Sequence, residues 1–201
     1  MCLLAPAASP SHLSPMLLKD IQFLDDGTRP PIPALPALTE AQKLPGEHLK
    51  MIHDHLRDNM VTLGKLIERA AAGTASADDV KAETADLVMV ANYRRFGTLC
   101  GQYCQFVHGH HSIEDQALFP AIRLQGPAFK AIADRLEAEH VVVHELLERL
   151  IDALSALADA PARQKIDDAV EVFRALERVL LSHLGYEEAA IGDALGYFDL
   201  M

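Results

Sequence analysis

Residues 127–160, PAFKAIADRLEAEHVVVHELLERLIDALSALADA, decide the fold of this 201-residue chain. The stretch contains no glycine and only one proline, at its first position. Apolar side chains recur three and four residues apart and therefore share one helical face: Phe129, Ile132, Leu136, Val143, Leu147, Ile151 and Leu154. This spacing predicts one long amphipathic helix.

Three further segments show the same spacing. The first covers residues 47–73, the second follows the capping residues of TASADD (residues 74–79) and ends between Pro120 and Pro127, and the last begins near Pro161. No segment shows the period-two alternation that is typical of a β-strand. Four amphipathic helices joined by short loops predict an all-α protein, an antiparallel up-down four-helix bundle.

Proline separates the N-terminal part of the chain from the helices. Eight of the 11 prolines lie in the first 45 residues. The run RPPIPALPAL (residues 29–38) should be extended, because proline lacks a backbone donor and restricts the residue before it. We therefore expect residues 1–46 to form a proline-rich extension and residues 47–201 to form the bundle. The apolar side chains of the extension favour an arm that wraps the bundle or contacts a partner.

Composition excludes several classes of function. The 18 basic and 29 acidic side chains give a net charge of −11, whereas a nucleic-acid-binding protein needs a basic face. The chain has no run of about 18 apolar residues that could span a membrane, and its N-terminus lacks the basic residues of a secretory signal. Three cysteines cannot form a fully paired disulfide framework. We expect a cytoplasmic protein, and the sequence leaves open whether it forms a homodimer.

Histidines and glutamates occur where the helices should bury apolar side chains. His183 and Glu187 are four residues apart and continue the apolar face of Leu180. His140 and His144 have the same spacing on the third predicted helix, and the other two helices add further members. The full set is His53, His110, Glu114, His140, His144, His183 and Glu187. Because buried imidazoles and carboxylates are costly unless they are paired or bind a metal, the pattern predicts a metal site inside the bundle.

The donor types narrow the identity of the metal. Neutral imidazoles with carboxylates, and no obvious set of thiolates, favour iron, with manganese or zinc as alternatives. Five histidines and two carboxylates are too many for one ion and fit two. Two six-coordinate irons bound by these imidazoles, by two bridging carboxylates and by a bridging oxide or hydroxide would keep one position open. That position, in an apolar pocket, would accept O₂, peroxide or another small diatomic ligand.

The chain resembles the hemerythrin-like proteins of the HHE cation-binding type. Four motifs carry the resemblance, which reaches from about residue 47 to residue 195: IHDHLR around His53, HHSIEDQALFP from His110, EHVVVH from His140 to His144 and HLGYEE from His183. The resemblance implies a non-haem di-iron centre in a four-helix bundle. It also implies that the five histidines are the imidazole ligands and that Glu114 and Glu187 are the bridging carboxylates.

The resemblance also implies a class of chemistry, because such centres bind O₂ reversibly or react with O₂, peroxide or nitric oxide. We expect a protein that binds or senses O₂ or a related small oxidant. An enzyme that acts on peroxide or nitric oxide would use the same residues. An iron-responsive regulatory module would use the proline-rich extension to engage a partner. The sequence leaves these alternatives open.

Two ligand positions have an alternative in the sequence. HHSIED (residues 110–115) offers the four-residue spacing twice, so the pair His111 and Asp115 competes with the pair already named on this helix. The longer reach of glutamate and the family pattern favour the pair already named. On the fourth predicted helix, oxygen-carrying hemerythrins have an aspartate five residues after the histidine. That position is Glu188 here, whereas Glu187 fits the apolar face better.

Overall fold

The computed structural model describes residues 17–72, 101–159 and 162–200. These residues form helices and turns and no β-strand, which confirms the predicted all-α fold class. The helices are α1 (Glu40–Ala71), α2 (Gly101–Ile113), α3 (Phe119–Arg123), α4 (Pro127–Asp159) and α5 (Arg163–Tyr197), and a π-helical segment (Glu114–Leu118) joins α2 to α3. They pack as a helical bundle, whose antiparallel up-down order stays a prediction. None of the helices in these ranges has the length and apolarity needed to cross a bilayer.

Two predicted boundaries have different outcomes. The predicted start of the second helix, after TASADD, lies outside the described residues. α1 begins at Glu40, earlier than the predicted start at Glu47, so that Pro45 lies inside the helix. Thr39 Oγ1 accepts a hydrogen bond from the Gln42 N–H at 3.3 Å, and Gln42 Oε1 accepts one from the Thr39 N–H at 3.0 Å. This reciprocal pair is a capping box, which starts the helix ahead of the proline.

The buried apolar side chains form two clusters, one on each side of a polar layer. The first cluster includes Leu56, Met60, Leu146, Leu150, Leu176 and Leu180, and the second includes Phe119, Ile122, Ile132, Leu136, Ile191 and Leu195. Along α1, His53 lies between Leu49 of the second cluster and Leu56 of the first. On α4, the buried apolar side chains before His140 belong to the second cluster and those after it belong to the first. On α5, those before Glu187 belong to the first cluster and those after it belong to the second. The three long helices therefore bury polar side chains between two apolar regions.

The predicted apolar face of residues 127–160 is confirmed. Six of its seven named side chains are buried, and Ile151 is half-buried. This face contributes to both clusters, since Leu136 belongs to the second and Val143 to the first. α4 therefore passes through the polar layer along the length of the bundle.

The residues before α1 lie against α4 and α5. Residues 17–39 contain one short 3₁₀ turn, Asp26–Thr28. Arg135 on α4 donates a hydrogen bond to the hydroxyl of the threonine in this turn at 2.8 Å. Tyr186 on α5 donates one to the Pro30 carbonyl at 3.1 Å. These hydrogen bonds hold the segment on the two helices.

α1 and α5 meet backbone to backbone at glycines. A Cβ atom added to Gly46 of α1 would lie 2.7 Å from the Gly192 carbonyl oxygen. A Cβ atom added to Gly196 would overlap the carbonyl group of Gln42. The lack of side chains at these positions allows the two helix backbones to touch.

We expect Gly196→Ala to destabilise the protein by about 2 kcal/mol or more, because the added methyl group must push α1 away from α5. The matched control is Gly185→Ala, also in α5, where an added Cβ would meet no described atom within 4 Å. That change should stabilise the protein by up to about 1 kcal/mol, since alanine favours a helix more than glycine does. Urea unfolding measures both variants, and equal stabilities would contradict the close crossing.

Candidate metal centre

The polar layer between the apolar clusters holds two groups of side chains that could bind a metal ion. We call them the carboxylate set, which comprises His53, His110, Glu114 and Glu187, and the histidine set, which comprises His111, His140 and His183. Within each set, each residue offers one donor atom that lies within 4.8 Å of the donor atoms of the others. Six of the seven predicted ligand residues fall into these sets. The donors come from α1, α2, the π segment, α4 and α5.

Seven donor atoms of these sets are buried without a hydrogen-bond partner among the described residues. They are Nε2 of His111, His140 and His183 and both carboxylate oxygens of Glu114 and Glu187. Each buried polar atom left without a partner costs about 1–3 kcal/mol, so native proteins contain few of them. Imidazole nitrogens and carboxylate oxygens are common ligands of iron, manganese and zinc. The donor set therefore fits a metal, which would satisfy these atoms together.

Carboxylates behind two of the imidazoles fix the orientation of the rings. Nδ1 of His53 lies 2.9 Å from Glu188 Oε1, and Nδ1 of His140 lies 2.8 Å from Asp115 Oδ1. A carboxylate on Nδ1 sets the tautomer of the ring and leaves Nε2 available for a metal. Asp115 and Glu188, the alternative ligands in the sequence, thus lie behind these rings, whereas the two glutamates of the carboxylate set face the centre.

His183 has a carboxylate behind it that the sequence pattern did not reveal. Its Nδ1 lies 3.0 Å from Glu139 Oε2, and Glu139 accepts further hydrogen bonds from Arg29 and Arg135. Burial alone would raise the pKa of Glu139, but its hydrogen bonds with His183 and the two arginines lower the pKa to about 2. The carboxylate is therefore ionised. Two of its three partners, Arg29 and His183, lie outside α4, so spacing within this helix could not identify its role.

The two glutamates of the carboxylate set also face the histidine set. Glu114 has one oxygen 3.1 Å from His110 Nε2 and the other 3.6 Å from His140 Nε2. Glu187 Oε2 lies 3.4 Å from His183 Nε2 and 3.5 Å from Nε2 of the histidine that α1 contributes to the carboxylate set. Each carboxylate therefore faces nitrogens from both sets.

The π-helical segment Glu114–Leu118 changes the spacing of the buried side chains that follow Glu114. The step from one buried side chain to the next is five residues between Glu114 and Phe119. The buried positions of this region are Val107, His111, Glu114, Phe119 and Ile122. A π turn contains one residue more than an α turn and shifts the register after it. His111 lies before this segment, at ordinary α-helical spacing from the buried Val107 and Glu114. The available signal for His111 was HHSIED, where the ligand spacing occurs twice.

His144, a predicted ligand, lies outside both sets. Its Nε2 is 2.9 Å from His111 Nδ1, so it stands behind that ring as the carboxylates stand behind the others. The half-buried His144 ring also stacks on the exposed His108, with 3.7 Å between the ring centroids. This arrangement makes His144 a support for His111, and its role as a ligand stays a prediction.

Without a cation, protons must balance the charges in the polar layer. Burial and the neighbouring Glu187 raise the pKa of Glu114 well above its usual range, so this side chain carries a proton at neutral pH. Burial alone would lower the pKa of His183, but Glu139 and Glu187 raise it to about 9. Burial lowers the pKa of His110 to about 4, which leaves its ring neutral. A bound cation would replace the protons on Glu114 and His183.

We expect Fe(II) to raise the melting temperature of the chelator-treated protein, because the metal would satisfy donor atoms that are buried without a partner among the described residues. A ligand at about 1,000 times its Kd stabilises the folded state by about 4 kcal/mol, which corresponds to about 10 °C for a chain of this size. Scanning calorimetry under argon measures the shift. A protein that gains no stability from Fe(II), Mn(II) or Zn(II) would contradict a metal site in the polar layer.

We expect metal affinity to rise between about pH 6 and pH 8, because ligands must lose their protons before they bind. The pKa of His183 is raised to about 9, so its ring is protonated in this range when no cation is bound. Each increase in pH weakens the competition from that proton. Calorimetric titration in two buffers with different protonation enthalpies counts the protons released, and His183→Ala should release fewer. An affinity that does not change with pH is the contrary result.

The match to a known family agrees with this geometry. The chain matches the family model of the hemerythrin HHE cation binding domain over residues 44–195. That range is more than half of the chain and includes every member of both donor sets. Neither the curated proteins nor the solved structures include a significant match to the chain. The resemblance predicted from the four motifs is confirmed, and the chain belongs to the hemerythrin HHE cation-binding family.

Proposed function

We propose that the chain is a non-haem di-iron protein that binds or senses O₂ or a related small oxidant. The observation that carries this proposal is the presence of two neighbouring donor sets, in which both carboxylates of one set also face the other set. Each set contains at least two imidazoles, and Glu114 and Glu187 each face nitrogens of both sets. Two cations that share these two carboxylates would account for all four contacts.

The donor types favour iron. Both sets consist of imidazoles and carboxylates, a mixture that suits iron and also manganese or zinc. No thiolate is among the donors in the part of the chain that the structure describes. When bound, iron would supply the redox chemistry that O₂ and related oxidants require, whereas zinc has none.

The two sets differ in their number of nitrogens, which suggests where a small ligand would bind. The histidine set supplies three imidazoles and the carboxylate set supplies two. If both glutamates are shared, the cation of the carboxylate set has fewer protein donors. We therefore place the small ligand on that side, near His53 and His110.

The surroundings of the centre determine which molecules can reach it. Apolar clusters pack on both sides of the polar layer, and the Phe119 ring lies 5.2 Å from the His140 ring, centroid to centroid. These side chains exclude bulk water and favour small uncharged molecules. On the carboxylate side, Glu188 holds His53 Nδ1 and is itself held by Arg57 at 2.7 Å. The His53 ring is thus kept in one orientation, with Nε2 toward the centre.

We expect the protein reconstituted with Fe(II) to contain two irons per chain and to develop a near-ultraviolet absorption band on exposure to O₂. The band should shift when azide is added, because azide would compete for the same position. His183→Ala should lower the iron content, since it removes a donor of the histidine set. His55→Ala is the matched control and should keep both irons, because His55 belongs to neither set. Metal analysis with anaerobic and aerobic spectra provides these measurements.

Other results of this experiment would count against the proposal. A chain that binds one iron or none would contradict a di-iron centre. Two irons together with steady-state consumption of peroxide or nitric oxide, lost in His183→Ala and kept in His55→Ala, would replace binding or sensing with an enzymatic function.

A further inference from the structure

A segment ahead of α1 reaches the carboxylate behind His183. Arg29 directly follows the 3₁₀ turn Asp26–Thr28. Its guanidinium donates two hydrogen bonds to Glu139, from Nε to Oε1 at 2.9 Å and from Nη2 to Oε2 at 3.1 Å. A two-pronged pair of this kind fixes the plane of a carboxylate as well as its position. The Glu139 side chain is only 4% exposed, so water has little access to the pair.

Arg29 is itself held by several neighbours. Its Nη1 donates to Ser182 Oγ at 2.9 Å, and Ser182 donates to Asp26 Oδ2 at 2.6 Å. The guanidinium carbon lies 4.7 Å from the centroid of the Tyr186 ring, whose hydroxyl donates to the Pro30 carbonyl. Ser182 and Tyr186 belong to α5. Arg29 therefore joins the N-terminal segment to the helix that carries the metal-binding histidine.

These contacts end at the metal centre. Glu139 Oε2, which accepts from Arg29 Nη2, lies 3.0 Å from His183 Nδ1. On the other side of the ring, His183 Nε2 is one of the buried donors without a partner among the described residues. Arg135 also donates to Glu139, but to Oε1, at 2.6 Å. Of the contacts described for these two arginines, that of Arg29 therefore reaches Oε2, the Glu139 oxygen next to His183.

We propose that Arg29 is a positioning residue for His183: it fixes the carboxylate of Glu139, which in turn fixes the orientation of the His183 ring toward the metal centre. This inference rests on the proposed function, because the orientation of His183 affects metal binding only if the histidine set holds a cation. Arg29 lies outside residues 44–195, which match the family. A part of this chain that the family match does not cover thus supports one of the metal ligands.

A cavity next to the pair explains why the loss of Arg29 should have a specific effect. The cavity has a volume of about 370 Å³, and Arg29, Glu139 and Ser182 line it together with Phe23 and Arg178. Removal of the Arg29 side chain would enlarge this cavity and admit water to Glu139. Arg135 would then hold the carboxylate through Oε1 alone, so that Oε2 could turn away from the His183 ring. Arg178 lies over the Phe23 ring instead, 5.6 Å from its centroid.

The test uses three variants of the full-length protein. Arg29→Ala removes the contact, Arg29→Lys keeps the charge but cannot bind both oxygens in one plane, and Arg178→Ala removes another arginine from the same cavity as the matched control. Anaerobic titration with Fe(II) gives the affinity for each iron. Nitrogen-15 NMR of the metal-free protein with labelled histidine reports the hydrogen bond at His183 Nδ1, whether or not the protein binds metal.

We expect Arg29→Ala to weaken the binding of one iron about 10- to 100-fold, the range typical for the loss of a group that orients a metal-binding histidine. It should also shift the His183 Nδ1 resonance. Arg29→Lys should give intermediate values, and Arg178→Ala should resemble the unmodified protein in both measurements. If Arg29→Ala does not fold, Arg29→Lys decides the question by the same two measurements.

Two results separate the failure of this inference from the failure of the proposed function. A lower melting temperature in Arg29→Ala, with unchanged iron affinities and an unchanged His183 resonance, would show that Arg29 only attaches the segment, and the inference would be wrong. An unmodified protein that does not bind two irons would overturn the proposed function. The His183 resonance of the metal-free protein would then still show whether Arg29 orients the ring.

Discussion

The constraint on the rest of the structure is the burial of imidazole nitrogens and carboxylate oxygens that have no hydrogen-bond partner among the described residues. The seven such atoms of the polar layer would each cost about 1–3 kcal/mol. Together these costs are comparable with the whole net stability of a typical domain, about 5–15 kcal/mol. The apolar clusters on both sides of the layer supply part of the compensation. A cation would supply the rest, so the stability of the fold and the binding of a metal are thermodynamically linked.

Charge is arranged around the centre in successive shells. The donors face inward, and carboxylates stand behind the rings of His53, His140 and His183. Arginines stand behind two of these carboxylates, Glu188 and Glu139. Each shell compensates the charge of the one inside it. The three histidine rings are therefore held by residues outside both donor sets, including, through Glu139, Arg29 from the segment that precedes α1.

Features that repeat within one helix could be predicted from the sequence. The all-α fold, the apolar face of α4 and the family are confirmed, and all of them rest on spacing or on short motifs. His111 was ambiguous because HHSIED offers the ligand spacing twice, once from each of two adjacent histidines. Glu139 was missed because the histidine that it supports, His183, lies 44 residues away along the chain and Arg29 lies 110 residues away. A pattern within one helix contains no information about such a contact. Which of these residues bind the metal stays a prediction.

Gly46 and Gly192 bring the backbones of α1 and α5 together about two turns from His53 and between one and two turns from Glu187. Packed helices can shift along one another when only flexible side chains lie between them. Here peptide groups are in contact, so the axial position of α1 on α5 is set by parts of the chain that cannot adapt. The 3.5 Å distance between His53 and Glu187 is therefore determined largely at a rigid joint outside the metal centre. A change at that joint would therefore alter the distance between these two side chains without replacing either of them.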